Sequence, residues 1–324
     1  MRLLVLGGTS FVGRHIVDAA IAAAQTVTLF NRGETDPDLY PGLELRRGNR
    51  VTGDLESLRA GEWDAVIDVN GYVPRHVRDV AALLTGRVRS YCFISTGSVY
   101  AHPSPPNAGE SSPLAPVDGI RGEDVTVATN GPLKVLCEQE AWTAFPESSV
   151  IVRPGVVAGP YDVTDRFTYW ARRLSQGGRV LGPERPDQPV QLVHPRDLGE
   201  FVIGLLLWRG TGVFNAVGPD EPMTFAGMLE ACAAAAGEKA DVVWAPETFL
   251  AEHKVALPLA LPSSGAWDGV FLRSHERANA HGLRNRSIVE TAADTLGWDC
   301  TRDWSATMSQ MLSVDREAEL LELL

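Results

Sequence analysis

Residues 2–20 read RLLVLGGTSFVGRHIVDAA. A short apolar run of strand length passes directly into a turn holding Gly7, Gly8 and Gly13, and then into an amphipathic stretch with helical spacing. Glycines at a strand-to-helix turn let backbone N–H groups approach a pyrophosphate, and the first helical turn adds unbonded donors and a positive dipole end. Ser10 takes the middle place of a G-x-x-G-x-x-G spacing, where its hydroxyl can donate to phosphate. Thr9, Phe11 and Val12 supply the remaining backbone of the loop. The stretch therefore predicts a dinucleotide-binding βαβ unit.

The same alternation continues outward. TVTLFN, DAVIDV, SYCFIST and SSVIVRPG are further strand-like runs, separated by amphipathic stretches at Phe11–Ala24 and Arg75–Thr85. Continuous rather than alternating hydrophobicity fits burial on both faces of a parallel sheet. The fold class is thus α/β: a Rossmann-type doubly wound parallel sheet with a smaller interleaved substrate domain. Residues 1–160 and 187–218 are assigned to the dinucleotide-binding domain, and 161–186 and 219–324 to the substrate-side domain, the latter with FAGMLEACAAAAG as a helix and a charged helical tail.

The end of the second strand bears on cofactor choice. FNRGE puts neutral Asn31 and cationic Arg32 where an NAD-dependent protein often carries a carboxylate for the ribose hydroxyls. An arginine can pair with a 2′-phosphate, so NADP is favoured, with NAD open. Asn49, in RGNR, falls where an adenine would be enclosed.

A net charge of −12 over 324 residues argues against a nucleic-acid surface, which needs a basic face, and points to a small-molecule partner. The four cysteines are spread without metal-ligand spacing and are read as buried reduced thiols. The opening hydrophobic run is too short for a signal peptide, so a cytoplasmic protein without membrane attachment is expected; a homodimer stays open.

GGTSFVG, DVNGYVP, FISTGSVY, NGPLK and RPGVVAGP, in this order, resemble the extended short-chain dehydrogenase/reductase superfamily in its NAD-dependent epimerase/dehydratase branch. The resemblance implies that Thr96 orients the reacting hydroxyl or carbonyl and that Lys134 binds the nicotinamide ribose. It also puts Asn70, Pro154 and Val156 against the cofactor. The residue expected to exchange the proton is a tyrosine, and here it is Asn130, whose amide has no proton to exchange near neutral pH. Gly97 and Ser98 stand where sugar-nucleotide dehydratases carry an Asp-Glu pair, so epimerisation or reduction is favoured over dehydration. The expected activity is a nicotinamide-dinucleotide-dependent oxidoreductase or epimerase acting on a hydroxyl or carbonyl carbon of a small sugar-like or nucleotide-sugar-like substrate. Two alternatives remain: a dinucleotide-binding regulatory protein without catalysis, and an RNA-associated protein, because chloroplast stem-loop RNA-binding proteins share a similar GGT-x-F-x-G opening.

If chemistry survives, the substitute donor is sought first at Tyr161, then at Tyr100 or His194, or in a water held by Asn130 and Thr96. Tyr72 also follows a strand end. Arg166, Arg172 and Arg173 are read either as an anion clamp or as the charged face of a solvated helix, and Asp197 as the N-cap of the helix after LVHPR.

Overall fold

The computed structural model describes residues 1–302 and 311–324. Residues 303–310, part of the range assigned to the smaller domain, lie outside them.

The chain divides into two compact units. The first comprises Met1–Val156, Pro195–Val217 and Arg273–Arg284. It is built on a seven-stranded sheet of β1 (Arg2–Leu6), β2 (Thr26–Asn31), β3 (Glu44–Arg47), β4 (Ala65–Asp68), β5 (Ser90–Ile94), β6 (Ser149–Pro154) and the strand Gly212–Ala216. Their order is β3-β2-β1-β4-β5-β6 followed by Gly212–Ala216, and every pairing is parallel. This is the Rossmann arrangement, whose strand order reverses between β1 and β4, so their C-terminal ends open a crevice at the Gly7 turn.

Both faces are covered, as the apolar runs require. Helices α2 (Pro74–Leu84) and α3 (Val127–Ala144) bring Val77, Leu84 and Cys137 against Leu4, Leu6 and Phe93. The intervening Leu3 and Val5 point to the opposite face, where α1 (Phe11–Ala22) packs with the helix Pro195–Leu207. That approach is close: a Cβ on Gly199 would lie 2.6 Å from the His15 carbonyl oxygen. Each fully buried Leu or Val contributes about 1.5–3 kcal/mol.

The second unit comprises Val157–His194, Gly218–Leu272 and Asn285–Leu324. Its helices Arg166–Ser175, Phe225–Ala236 and Ile288–Asp299 pack on one another, and the strands Gly178–Gly182 and Ala240–Trp244 pair in parallel. The sequence reading assigns 273–284 to the smaller part and 157–160, 187–194 and 218 to the larger; the structure groups Arg273–Arg284 with the large sheet and the other three stretches with the second unit. Ser274 N–H donates to the Ala108 carbonyl at 3.1 Å, and the Asn215 amide donates to the Ser274 carbonyl at 3.1 Å. Among the described residues no helix is long and apolar enough to cross a membrane, and no group of three or more His, Cys, Asp or Glu is placed to hold a metal ion. Cys92, Cys137 and Cys232 are buried thiols, whereas Cys300 is exposed.

Candidate active site

Gly7 and Gly8 adopt φ of +110° and +97°, a region costly for other residues. A Cβ on Gly8 would lie 2.9 Å from Leu29 Cδ2, and one on Gly13 would lie 2.8 Å from Gly8 N. The first turn of α1 is thus drawn onto the strand end with no room for a side chain between them. Ser10 is the N-cap, extended at φ −136°, and its side chain makes no capping bond, which leaves the hydroxyl for a ligand. The first intrahelical bond runs from Arg14 N–H to Ser10 O at 3.2 Å, so the N–H groups of Phe11, Val12 and Gly13 precede the helix's own pairing. This cradle fits a pyrophosphate.

Around it stand the other expected contacts. Asn31 is structural as well as polar: its Nδ2 donates to Gly7 O at 3.3 Å, and its Oδ1 accepts from Gly33 N at 2.7 Å, tying the end of β2 to the loop. Arg32 is exposed and pairs with Glu34 at 3.0 Å. Arg47, not singled out in the sequence, lays its guanidinium against Gly33, with Cζ 3.1 Å from where a Cβ would be. Asn49 forms a turn, its Oδ1 accepting from Val51 N at 2.9 Å. The Asn70 side chain lies beside Gly7, its Cγ 3.6 Å from that residue's absent Cβ. Pro154 ends β6 in register with Ala216, and Val156 follows two residues later.

Thr96 closes β5 and caps the short 3₁₀ turn Gly97–Val99: its Oγ1 accepts from Ser98 N at 3.2 Å and donates to Ser98 Oγ at 3.3 Å. Lys134, on α3, is only 4% exposed. Its Nζ donates to Ile94 O at 2.9 Å and lies 4.7 Å from the Phe93 ring and 4.8 Å from the Tyr72 ring. Burial lowers its ammonium to about 8, against the opposing pull of Cys137, Asp68 and Glu138. Asn130 lies one turn earlier, half-buried, and among the described residues nothing hydrogen-bonds its side chain.

Behind this surface runs a buried polar network that the sequence did not reveal. Ser95 Oγ donates to Glu138 at 2.5 Å, Glu138 pairs with Arg153 at 2.6 Å, Arg153 donates to the Tyr100 hydroxyl at 3.0 Å, and Tyr100 donates to Asn215 Oδ1 at 2.6 Å. Tyr100 is wholly buried, so its phenol is a structural hub rather than a spare proton donor. Asp68, at the end of β4, is a second missed element. It accepts from Arg50 at 3.0 Å and from the Tyr91 hydroxyl at 2.8 Å, with no exposure to solvent.

Of the other candidates, Tyr161, His194, Arg172 and Arg173 belong to the second unit and Asp197 to the first. Tyr161 has φ +69°, and its ring lies 5.4 Å from that of Trp298, tilted by 52°. His194 is buried with Nε2 3.4 Å from Asp294 Oδ2. Asp197 is not an N-cap: the helix begins at Pro195, which puts Asp197 inside the first turn. Arg172 pairs with Asp299 at 2.7 Å, and Arg173 with Glu317. Both guanidiniums are thereby neutralised and largely buried, which fits neither a solvated face nor an open anion clamp.

No family model matches the sequence. Among curated proteins the chain is similar to the chloroplast stem-loop binding protein of 41 kDa b of Arabidopsis thaliana, 26% identical over 323 residues that cover 93% of this chain and 80% of that protein. Among solved structures it is similar to UDP-glucose 4-epimerase of Thermus thermophilus in complex with NAD, with a TM-score of 0.65, 20% identity, and coverage of 94% of this chain and 100% of that one. It is also similar to the UDP-Glc/GlcNAc 4-epimerase of Campylobacter jejuni, with a TM-score of 0.68, 17% identity, and coverage of 93% and 99%. A third, dTDP-glucose 4,6-dehydratase of Bacillus anthracis in complex with NAD, gives a TM-score of 0.67 at 13% identity, covering 94% and 97%.

Proposed function

The chain has the fold of the NAD-dependent epimerases and dehydratases of the extended short-chain dehydrogenase/reductase superfamily, and we propose that it is a nicotinamide-dinucleotide-dependent oxidoreductase or epimerase. Its substrate is a small polar molecule, sugar-like or nucleotide-sugar-like, reacting at a hydroxyl or carbonyl carbon, and NADP is preferred over NAD.

The observation that carries this reading is the buried ammonium of Lys134, which gives one of its three N–H donors to Ile94 O. A lysine is costly to bury, and the remaining donors suit the hydroxyls of a nicotinamide ribose. The glycine cradle would hold the pyrophosphate, Arg32 the 2′-phosphate, and Asn70 and Asn49 the polar edges between them. When bound, the dinucleotide supplies hydride exchange at its nicotinamide ring. Thr96 would orient the reacting oxygen through its hydroxyl. Asn130 can hold that oxygen or a water by hydrogen bonding but exchanges no proton, and Gly97 and Ser98 offer no acid/base pair for dehydration.

Calorimetry with NADP+, NADPH, NAD+ and NADH tests the reading; failure to bind any of the four overturns it. Binding without turnover on a panel of keto and hydroxy substrates would favour a regulatory protein instead. A second reading, RNA association, is supported by the stem-loop binding named in the Arabidopsis relative. The net charge of −12 weighs against it. Filter binding with a stem-loop RNA at rising salt discriminates, since phosphate contacts weaken as salt increases.

A further inference from the structure

The chain has six tyrosines, all among the described residues. Tyr91 and Tyr100 are fully buried with phenols bonded to Asp68 and Asn215, and Tyr169 is 2% exposed. Tyr40 donates to Asp18 Oδ1 at 2.7 Å, and Tyr161 belongs to the second unit. Tyr72 differs from all of these. It is 49% exposed, and among the described residues its hydroxyl has no hydrogen-bond partner. It stands in the loop between β4 and α2, and its ring centroid lies 4.8 Å from Lys134 Nζ. Gly71 fixes that placement: a Cβ there would lie 2.7 Å from both Phe93 Cε2 and Val77 Cγ2, so the loop is pressed onto the core just before Tyr72 emerges.

We propose that Tyr72 is the proton donor that Asn130 cannot be, restoring a tyrosine–lysine pair from two different elements. The proposal rests on the oxidoreductase or epimerase reading. In the reducing direction the substrate's carbonyl carbon would take a hydride from the reduced dinucleotide, which is thereby oxidised, while the phenolic O–H bond breaks and an O–H bond forms on the carbonyl oxygen. The phenolate left behind is stabilised by the Lys134 ammonium and regains its proton from water. In the oxidising direction the phenolate takes the proton of the substrate hydroxyl as the carbinol C–H bond breaks and its hydride would pass to the oxidised dinucleotide. The charged groups facing Tyr72 are Lys134 from α3 and Asp68 from β4. Partial burial of the side chain and the Asp68 carboxylate hold it above the usual tyrosine range, so it rests protonated and ready to act as an acid.

The test reads the phenol first and turnover second. Tyrosinate absorbance of wild type minus that of Tyr72→Phe isolates the titration of Tyr72, and Lys134→Met should move it upward by about one unit, as loss of a neighbouring cation requires. Single-turnover oxidation of NADPH with a panel of sugar aldehydes and ketones should then fall ~10²-fold or more in Tyr72→Phe, with NADPH affinity retained by calorimetry. Adding Asn130→Tyr to Tyr72→Phe should recover part of the loss. Unmoved titration in Lys134→Met, or full turnover in Tyr72→Phe, overturns the proposal while leaving the cofactor reading intact. A wild type that binds no dinucleotide brings down both.

Discussion

Gly131 and Ser98 meet so closely that the Cβ which glycine lacks would lie 2.2 Å from the Ser98 carbonyl oxygen. Helix α3 is therefore seated on the turn that follows β5, and from this seat Lys134 reaches Ile94 O at the end of that strand. Alanine has the better helix propensity by roughly 1 kcal/mol, but a backbone carbonyl at this range cannot yield as a flexible side chain would. We predict that Gly131→Ala loses about 1–3 kcal/mol of stability, the usual cost of overpacking, and weakens dinucleotide binding as α3 shifts. Urea denaturation and calorimetry check it; an unchanged midpoint would contradict the seating.

At the other end of the crevice, Gly13→Val should abolish dinucleotide binding. The added side chain would begin 2.8 Å from Gly8 N and 3.0 Å from Gly8 Cα, backbone atoms that define the cradle. Titration calorimetry with NADPH reads the effect directly. An unaltered Kd would mean that the loop is not the phosphate site.

Much of this crevice was legible because its strands are buried on both faces and therefore spelled as apolar runs. β1, β2, β4, β5 and β6 all follow such runs. β3 escaped because it is the edge strand: ELRR is charged and exposed or half-exposed along its length. The return of Arg273 to the large sheet escaped for another reason. Its guanidinium fills the space over Gly97, with Nη1 2.7 Å from the absent Cβ, and lies 5.4 Å from the Tyr100 ring. Nothing local in FLRSHER signals that long-range docking. Asp68 and Arg50 were equally opaque, since a buried ion pair between separate elements leaves no periodic trace. Thr96, Asn130 and Lys134 could be named from their order along the chain, but their burial and neighbours could not.

Cofactor preference should turn on Arg32. Its ion pair with Glu34 is solvent-exposed on both sides, and such pairs contribute only about 0–1 kcal/mol, so a 2′-phosphate can compete for the guanidinium. Arg32→Ala is expected to weaken NADP(H) by roughly 1–3 kcal/mol and to leave NAD(H) nearly unchanged. Equal losses for both cofactors would remove Arg32 from the 2′-phosphate role.

Lys134 carries a pH signature with a definite sign. Its ammonium sits at about 8 in the folded chain because burial disfavours the charge, against about 10.4 for an unperturbed lysine. Between those values the unfolded chain holds the proton and the folded chain has released it, so this group makes stability rise with pH across that window and contributes no slope below it. Dinucleotide affinity should move the other way, falling as pH rises through about 8, because the neutral amine is the weaker donor to the ribose. Calorimetric Kd values for NADPH on both sides of that pH, for wild type and Lys134→Met, isolate the effect. A pH dependence that survives in Lys134→Met belongs to another group.

Asn130 decides between altered and lost chemistry. Its side chain is half-buried one helical turn before Lys134, where an amide can orient a substrate oxygen or a water but cannot give up a proton. Proton transfer supplies ~10²–10⁴-fold in rate, and an amide at this position supplies none of it. If another group provides the proton, Asn130→Ala should lower single-turnover hydride transfer only modestly, while loss of the Thr96 hydroxyl in Thr96→Val should cost ~10²-fold or more. Asn130→Tyr adds a phenol on the same helical face as Lys134, and in a working enzyme this should change turnover little, since the proton is already supplied. The nicotinamide absorbance, followed over a panel of keto and hydroxy substrates, separates the two cases. If wild type is inert throughout and Asn130→Tyr alone gains turnover, the asparagine is a lost catalyst and the protein binds its dinucleotide for another purpose.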